Sequence, residues 1–189
     1  MNETKGSQQA RVAYVAYGVA VLWIIRLATF FIPAIRDATP GGSPLLAELN
    51  ALLGIAPHLL LFPVVAALPA PQWARQAGYG WLVIDIATDI MQLGSVPTPI
   101  YLPLRYGGHV SAALWIALAS WQAKGATRIV GLLLAIVLGG YSFIAPFDPT
   151  HFVGLLPGLV LLPTWFALVG RLLAQRGEHQ QIRTEIGGK

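Results

Sequence analysis

Residues 78–96, GYGWLVIDIATDIMQLGSV, form an apolar run of membrane-helix length that carries two carboxylates, Asp85 and Asp89. On a helix Trp81, Asp85, Thr88, Asp89 and Gln92 recur at three- and four-residue steps, so they draw one polar stripe along an otherwise apolar rod. Such a stripe cannot face hydrocarbon, because an aspartate at the bilayer centre costs roughly 2.5 to 3.5 kcal/mol. Two of them call for partners, protonation or a wet cavity. Other apolar runs supply candidate partners: Arg26, His58, Arg105 and His109. With Asp85, Asp89 and Gln92 they form the set of residues expected to meet a ligand.

The chemistry of that set is binding chemistry. Arginine is a permanent cation with a fork of donors that suits carboxylates and other anions. Aspartates can hold a proton or a ligand's amine, and histidine is the side-chain type that titrates near neutrality. A small anionic or zwitterionic solute, bound or transported and coupled to protons, is the first expectation. Two alternatives stand beside it. Buried arginine–aspartate pairs can serve only to hold a bundle together in an accessory membrane subunit. Histidines on different spans, here His58 and His109, can also ligate haem b or flank a quinone in a membrane anchor. Metal binding by Asp89, His109, Asp148 and His151 is allowed by ligand type. Asp85 and Asp89 resemble half of a magnesium–diphosphate site, but no other span offers a second carboxylate pair, and neither H-E-x-x-H nor G-x-S-x-G occurs. The expectation is therefore a non-enzyme without a cofactor.

Composition sets the frame for these residues. The 189-residue chain is 56% hydrophobic and only 11% charged, and its mean hydropathy is +0.64. That is too apolar for a soluble domain and too long for a single anchor. The absence of cysteine removes disulfides, thiolate metal sites and cysteine nucleophiles. The formal charge of +4 follows the loops of a membrane protein, and nucleic acid is not an expected partner. The expected partners are the lipid bilayer, a small molecule and other membrane subunits or copies of the chain. The location is the cell membrane.

Apolar runs of spanning length lie at 12–35, 45–68, 78–96, 101–121, 128–145 and 152–174. They predict an all-α, polytopic bundle of six transmembrane helices in three hairpins, flanked by polar tails at 1–11 and 175–189. The first run has no small-residue cleavage site after it and reads as a retained helix. One family of helix ends carries Lys5, Arg11, Arg75, Lys124, Arg128, Arg171, Arg176, Arg183 and Lys189, and the other carries Arg36, which puts both termini in the cytoplasm. The outer tips then fall at 36–44, 97–100 and 146–151.

At a rise of 1.5 Å per residue, Asp89, His109 and Arg26 lie about 11 to 13 Å below the outer ends of those runs, with Gln92 and Arg105 about 6 to 7 Å deep. Asp89 is thus expected to face His109 and to pair with Arg105, with Arg26 closing the cluster. Asp85 and His58 form a deeper layer. Finally, 54–63 (GIAPHLLLFP) and 154–163 (GLLPGLVLLP) keep their glycines and prolines at identical spacing. This suggests that the first and last hairpins derive from one duplicated unit.

Overall fold

The computed structural model describes the backbone of residues 3–147 and 151–187, and side chains from 6–147 and 154–179. Among these residues the chain is helical apart from short connections and has no strand. The helices are α1 (Glu3–Phe30), α2 (Pro33–Arg36), α3 (Pro44–Ala67), α4 (Gln72–Leu93), α5 (Thr98–Trp121), α6 (Gly125–Ile144) and α7 (His151–Gly187), with a 3-10 turn at Ala145–Phe147. Four segments are long and apolar enough to cross a membrane: Gly6–Phe30, Pro44–Ala67, Gly125–Phe147 and Gly154–His179. The two long helices that miss that mark are α4 and α5, which carry Asp85, Asp89, Arg105 and His109.

Prolines and glycines set most boundaries. The first apolar run does not continue as one helix to residue 35. Pro33 holds the preceding Ile32 in extended backbone (φ −104°, ψ 99°) and then opens α2 as its first residue. Pro44 opens α3 in the same way. α4 stops at Gly94, and Ser95 turns the chain back in the left-handed conformation (φ 56°). Both expected tails are largely helical: α1 begins at Glu3 and α7 runs on to Gly187.

Each long helix packs on its neighbours in the chain, and α7 closes the ring against α1. The core is aromatic and aliphatic. Trp81, Trp115, Trp165, Phe166, Leu61 and Leu134 are fully buried, and the Trp165 indole N–H donates to Ser120 Oγ at 3.0 Å. That bond satisfies the polar handle of Trp165 while its ring fills volume. Trp73 and Trp121, by contrast, are exposed near the same end of the bundle, and Arg128 stacks on Trp121 with its guanidinium carbon 4.5 Å from the ring centre.

The proposed internal repeat does not extend to environment. Gly54 and Pro57 are buried where Gly154 and Pro157 are exposed, and Pro63 is exposed where Pro163 is buried. The two decads thus present different faces to the core.

Candidate functional site

One cavity of about 540 Å³ runs from Arg36, Asp37 and Thr98, beside the α1–α3 and α4–α5 connections, down to His58, Trp81 and Leu162. All seven residues singled out from sequence line it: Arg26, His58, Asp85, Asp89, Gln92, Arg105 and His109. Its two sides differ. The wall from α1, α3, α4 and α5 is polar and charged, while α6 and α7 contribute Leu138, Leu155, Leu159 and Leu162, with Tyr141 between.

Two layers of facing polar groups, one helical turn apart, join α4 to α5. In the upper layer Arg105 pairs with Asp89 through Nη2, and its Nε donates to Thr88 Oγ1 at 2.9 Å. Asp89 is 4% exposed, so the pair is largely out of water and each partner depends on the other. α3 approaches it through a glycine: a Cβ on Gly54 would sit 2.8 Å from Asp89 Cγ. In the lower layer Asp85, also 4% exposed, collects three groups on one oxygen. Trp81 Nε1 donates to Oδ2 at 2.7 Å, His58 Nε2 lies 3.2 Å away and His109 Nε2 3.5 Å away. Among the described residues Asp85 Oδ1, which is buried, has no hydrogen-bond partner, and it lies 3.1 Å from where a Cβ on Gly108 of α5 would sit.

The register between α4 and α5 differs by one turn from the sequence expectation. His109 meets Asp85, not Asp89, because α4 ends at Leu93 and α5 begins at Thr98. The turn therefore lies a few residues earlier than the apolar runs indicate, which lowers His109 by about one turn along α4, while the expected pair of Arg105 with Asp89 is kept by the long arginine side chain. Asp85 accordingly has fixed partners where the sequence offered only depth.

Arg26 also differs from expectation. It lies near the end of α1, about 6 Å from Phe30 at the helical rise. Its Nη1 donates to the Asn50 backbone carbonyl at 2.7 Å and to the Asn50 side-chain oxygen. No carboxylate among the described residues forms an ion pair with it. Asn50, 7% exposed, is a site residue that sequence reading missed. Its only signal was an amide in the apolar run at 45–68. Gln92 is half-buried at the cavity wall.

His58 is fixed from both sides. Its Nδ1 donates to the Gly54 carbonyl at 2.7 Å, not to the Leu53 carbonyl that Pro57 releases. Trp23 and Trp81 stand nearly perpendicular to it, with ring centres at 5.6 and 5.3 Å. His58 and His109 thus turn their Nε2 atoms to the same carboxylate oxygen. A bis-histidine haem needs those atoms facing an iron from opposite sides, so this arrangement does not suit it. The metal set drawn from sequence is divided as well. Asp89 and His109 belong to different layers, and Asp148 and the His151 side chain lie outside the described residues. No metal-binding group of His, Asp or Glu occurs among the described residues.

At the mouth, Arg36 and Asp37 make a two-bond pair, Nε to Oδ1 at 2.8 Å and Nη2 to Oδ2 at 2.7 Å. The hydrogen bonds from Arg36 hold the Asp37 carboxyl below its ordinary titration range. Both side chains are exposed enough for salt to screen the pair. Comparison with known protein families, curated proteins and solved structures gave no match.

Proposed function

We propose that this chain is a six-span protein of the cell membrane, arranged as three hairpins with both termini in the cytoplasm, whose outward-opening cavity binds or carries a small anionic or zwitterionic solute. α4 and α5 complete the six. At 22 and 24 residues they reach about 33 and 36 Å, enough to span. They turn Asp85, Asp89 and Tyr106 inward while Val83, Ile90, Leu104 and Leu114 are exposed, as a lipid-facing surface requires. The loop charges supply the orientation. A concrete check uses the cysteine-free background. A single cysteine at Ser43 should react with an impermeant maleimide added outside, and one at Gln72 or Ala126 should not; the reverse pattern inverts the topology.

The observation that carries the solute reading is Arg26, a cation at the cavity wall bonded to the neutral amide of Asn50 and to no carboxylate among the described residues, in a cavity that α6 and α7 line with leucines. The other charged residues of the polar wall are already engaged within the protein, so Arg26 is the group with attraction to spare for an incoming carboxylate. About 540 Å³ lies within the range of small-molecule sites. The two-sided lining suits a solute with an anionic head and an apolar body.

Phenylbutyrate, phenylalanine and phenylbutylamine, an anion, a zwitterion and a cation of similar bulk, test this by calorimetry on the protein in nanodiscs. The acid and the zwitterion are expected to bind in preference to the amine. Arg26→Gln should weaken the acid by roughly tenfold, the value of one charge-assisted contact. If none of the three binds, or the amine binds best, the buried charges serve the bundle only.

A further inference from the structure

The lower layer points to a second ligand. We propose that His58, Asp85 and His109 form a proton-binding site in which one dissociable proton rests on His58 Nε2, so that His58 is an imidazolium beside an ionised Asp85. This goes beyond solute binding, and it stands or falls separately.

The first argument is hydrogen-bond valence. A carbonyl oxygen only accepts, so the 2.7 Å contact between His58 Nδ1 and Gly54 O places a proton on Nδ1. A neutral imidazole carries a single N–H. A neutral His58 would therefore leave an unprotonated Nε2 3.2 Å from Asp85 Oδ2, two electron-rich atoms in contact, with Nε2 buried and without a hydrogen-bond partner among the described residues. A second proton on His58 converts that repulsion into an ion pair.

The second argument is charge. Asp85 is 4% exposed, and the described residues bring neither arginine nor lysine within ion-pair distance of it. Its compensation comes from Trp81 N–H and the two imidazoles alone. A buried carboxylate with only neutral donors is costly, and one proton on the cluster removes the net charge. Trp23 and Trp81 pack nearly perpendicular to His58, with ring centres at 5.6 and 5.3 Å, and hold its ring in place.

The surroundings do not supply another source of that proton's charge. Of the titratable and charged groups that line the cavity, Arg26 on α1 is bonded to Asn50, and Asp89 on α4 and Arg105 on α5 neutralise each other. Arg36 and Asp37 pair at the mouth. Tyr101 on α5 shares a 3.4 Å hydrogen bond with Thr98, Tyr106 on α5 and Tyr141 on α6 are in ring contact with each other, and α7 contributes no titratable side chain to the described lining. His109 offers the route outward. It sits 3.5 Å from the same oxygen and borders the cavity, so it is the member of the cluster placed between Asp85 and the cavity.

The experiment needs no solute. Protein labelled with nitrogen-15 at histidine and carbon-13 at the aspartate carboxyl, in nanodiscs at neutral pH, is read by NMR. His58 and Asp85 are assigned from the signals lost in His58→Gln and Asp85→Asn. If His58→Gln does not fold, His58 is assigned by elimination from His109→Gln, His151→Gln and His179→Gln. The expected result is both nitrogens of His58 protonated and Asp85 ionised, with the second His58 proton lost in Asp85→Asn. A neutral His58 in the wild-type protein, or an imidazolium that persists in Asp85→Asn, overturns the proposal. Absence of phenylbutyrate binding bears only on the solute reading, because the spectrum is recorded without it.

Discussion

Asp89→Asn should destabilise the bundle by about 3 to 5 kcal/mol, measured as a fall in the SDS fraction needed to unfold the protein in mixed micelles. The size follows from what remains. Arg105 stays protonated at any working pH and stays tied to Thr88 Oγ1 at 2.9 Å, but the carboxylate that balanced it is gone. An amide can accept one of its hydrogen bonds and none of its charge. Removing both members, in Asp89→Asn with Arg105→Gln, should recover a large part of the loss, because the cost lies in the unpaired charge and not in the missing contact. A single mutant within about 1 kcal/mol of wild type would show that cavity water already screens the pair. Asp85→Asn should be milder, since an amide oxygen still accepts the Trp81 N–H and the loss of the carboxylate relieves His58 of its second proton.

Gly54→Ala should cost about 3 kcal/mol, the upper end of what overpacking a well-packed interior imposes. The new methyl would lie 2.8 Å from Asp89 Cγ and 3.1 Å from Oδ1, so either α3 moves away from α4 or Asp89 leaves Arg105. Flexible side chains yield to such a methyl cheaply, but a buried carboxylate held in an ion pair does not. Gly107→Ala on α5 is the matched control. Nothing lies within 4 Å of a Cβ there, and alanine is the better helix former, so that change should be neutral or slightly stabilising. Equal behaviour of the two variants would mean that α3 and α4 are not held in close approach at this point.

The sequence by itself determined that the chain is helical and apolar, and which side chains are chemically costly to bury. Those conclusions need only hydropathy, helical periodicity and the price of desolvating charge, all of which act over a few residues. Asp85 and Asp89 had to share one face of α4, and that they face inward follows from the same cost. The joining of Asp89 to Arg105 was also within reach, because a four-residue connection between α4 and α5 leaves them no choice but to be neighbours.

Tertiary structure decided the rest. Hydropathy cannot say where a helix stops, so it carries the first helix past the break at Ile32 and places the α4–α5 turn a few residues too late. That small difference moved His109 by one turn, from Asp89 to Asp85. The pairing of Arg26 with Asn50, the convergence of His58 and His109 on one oxygen, and the unlike faces of the two Gly–Pro decads depend on how far each helix is rotated in the ring. Rotation is fixed by packing between α1, α3 and α4, where a methyl more or less on Gly54 decides the fit. No local pattern of residues encodes it.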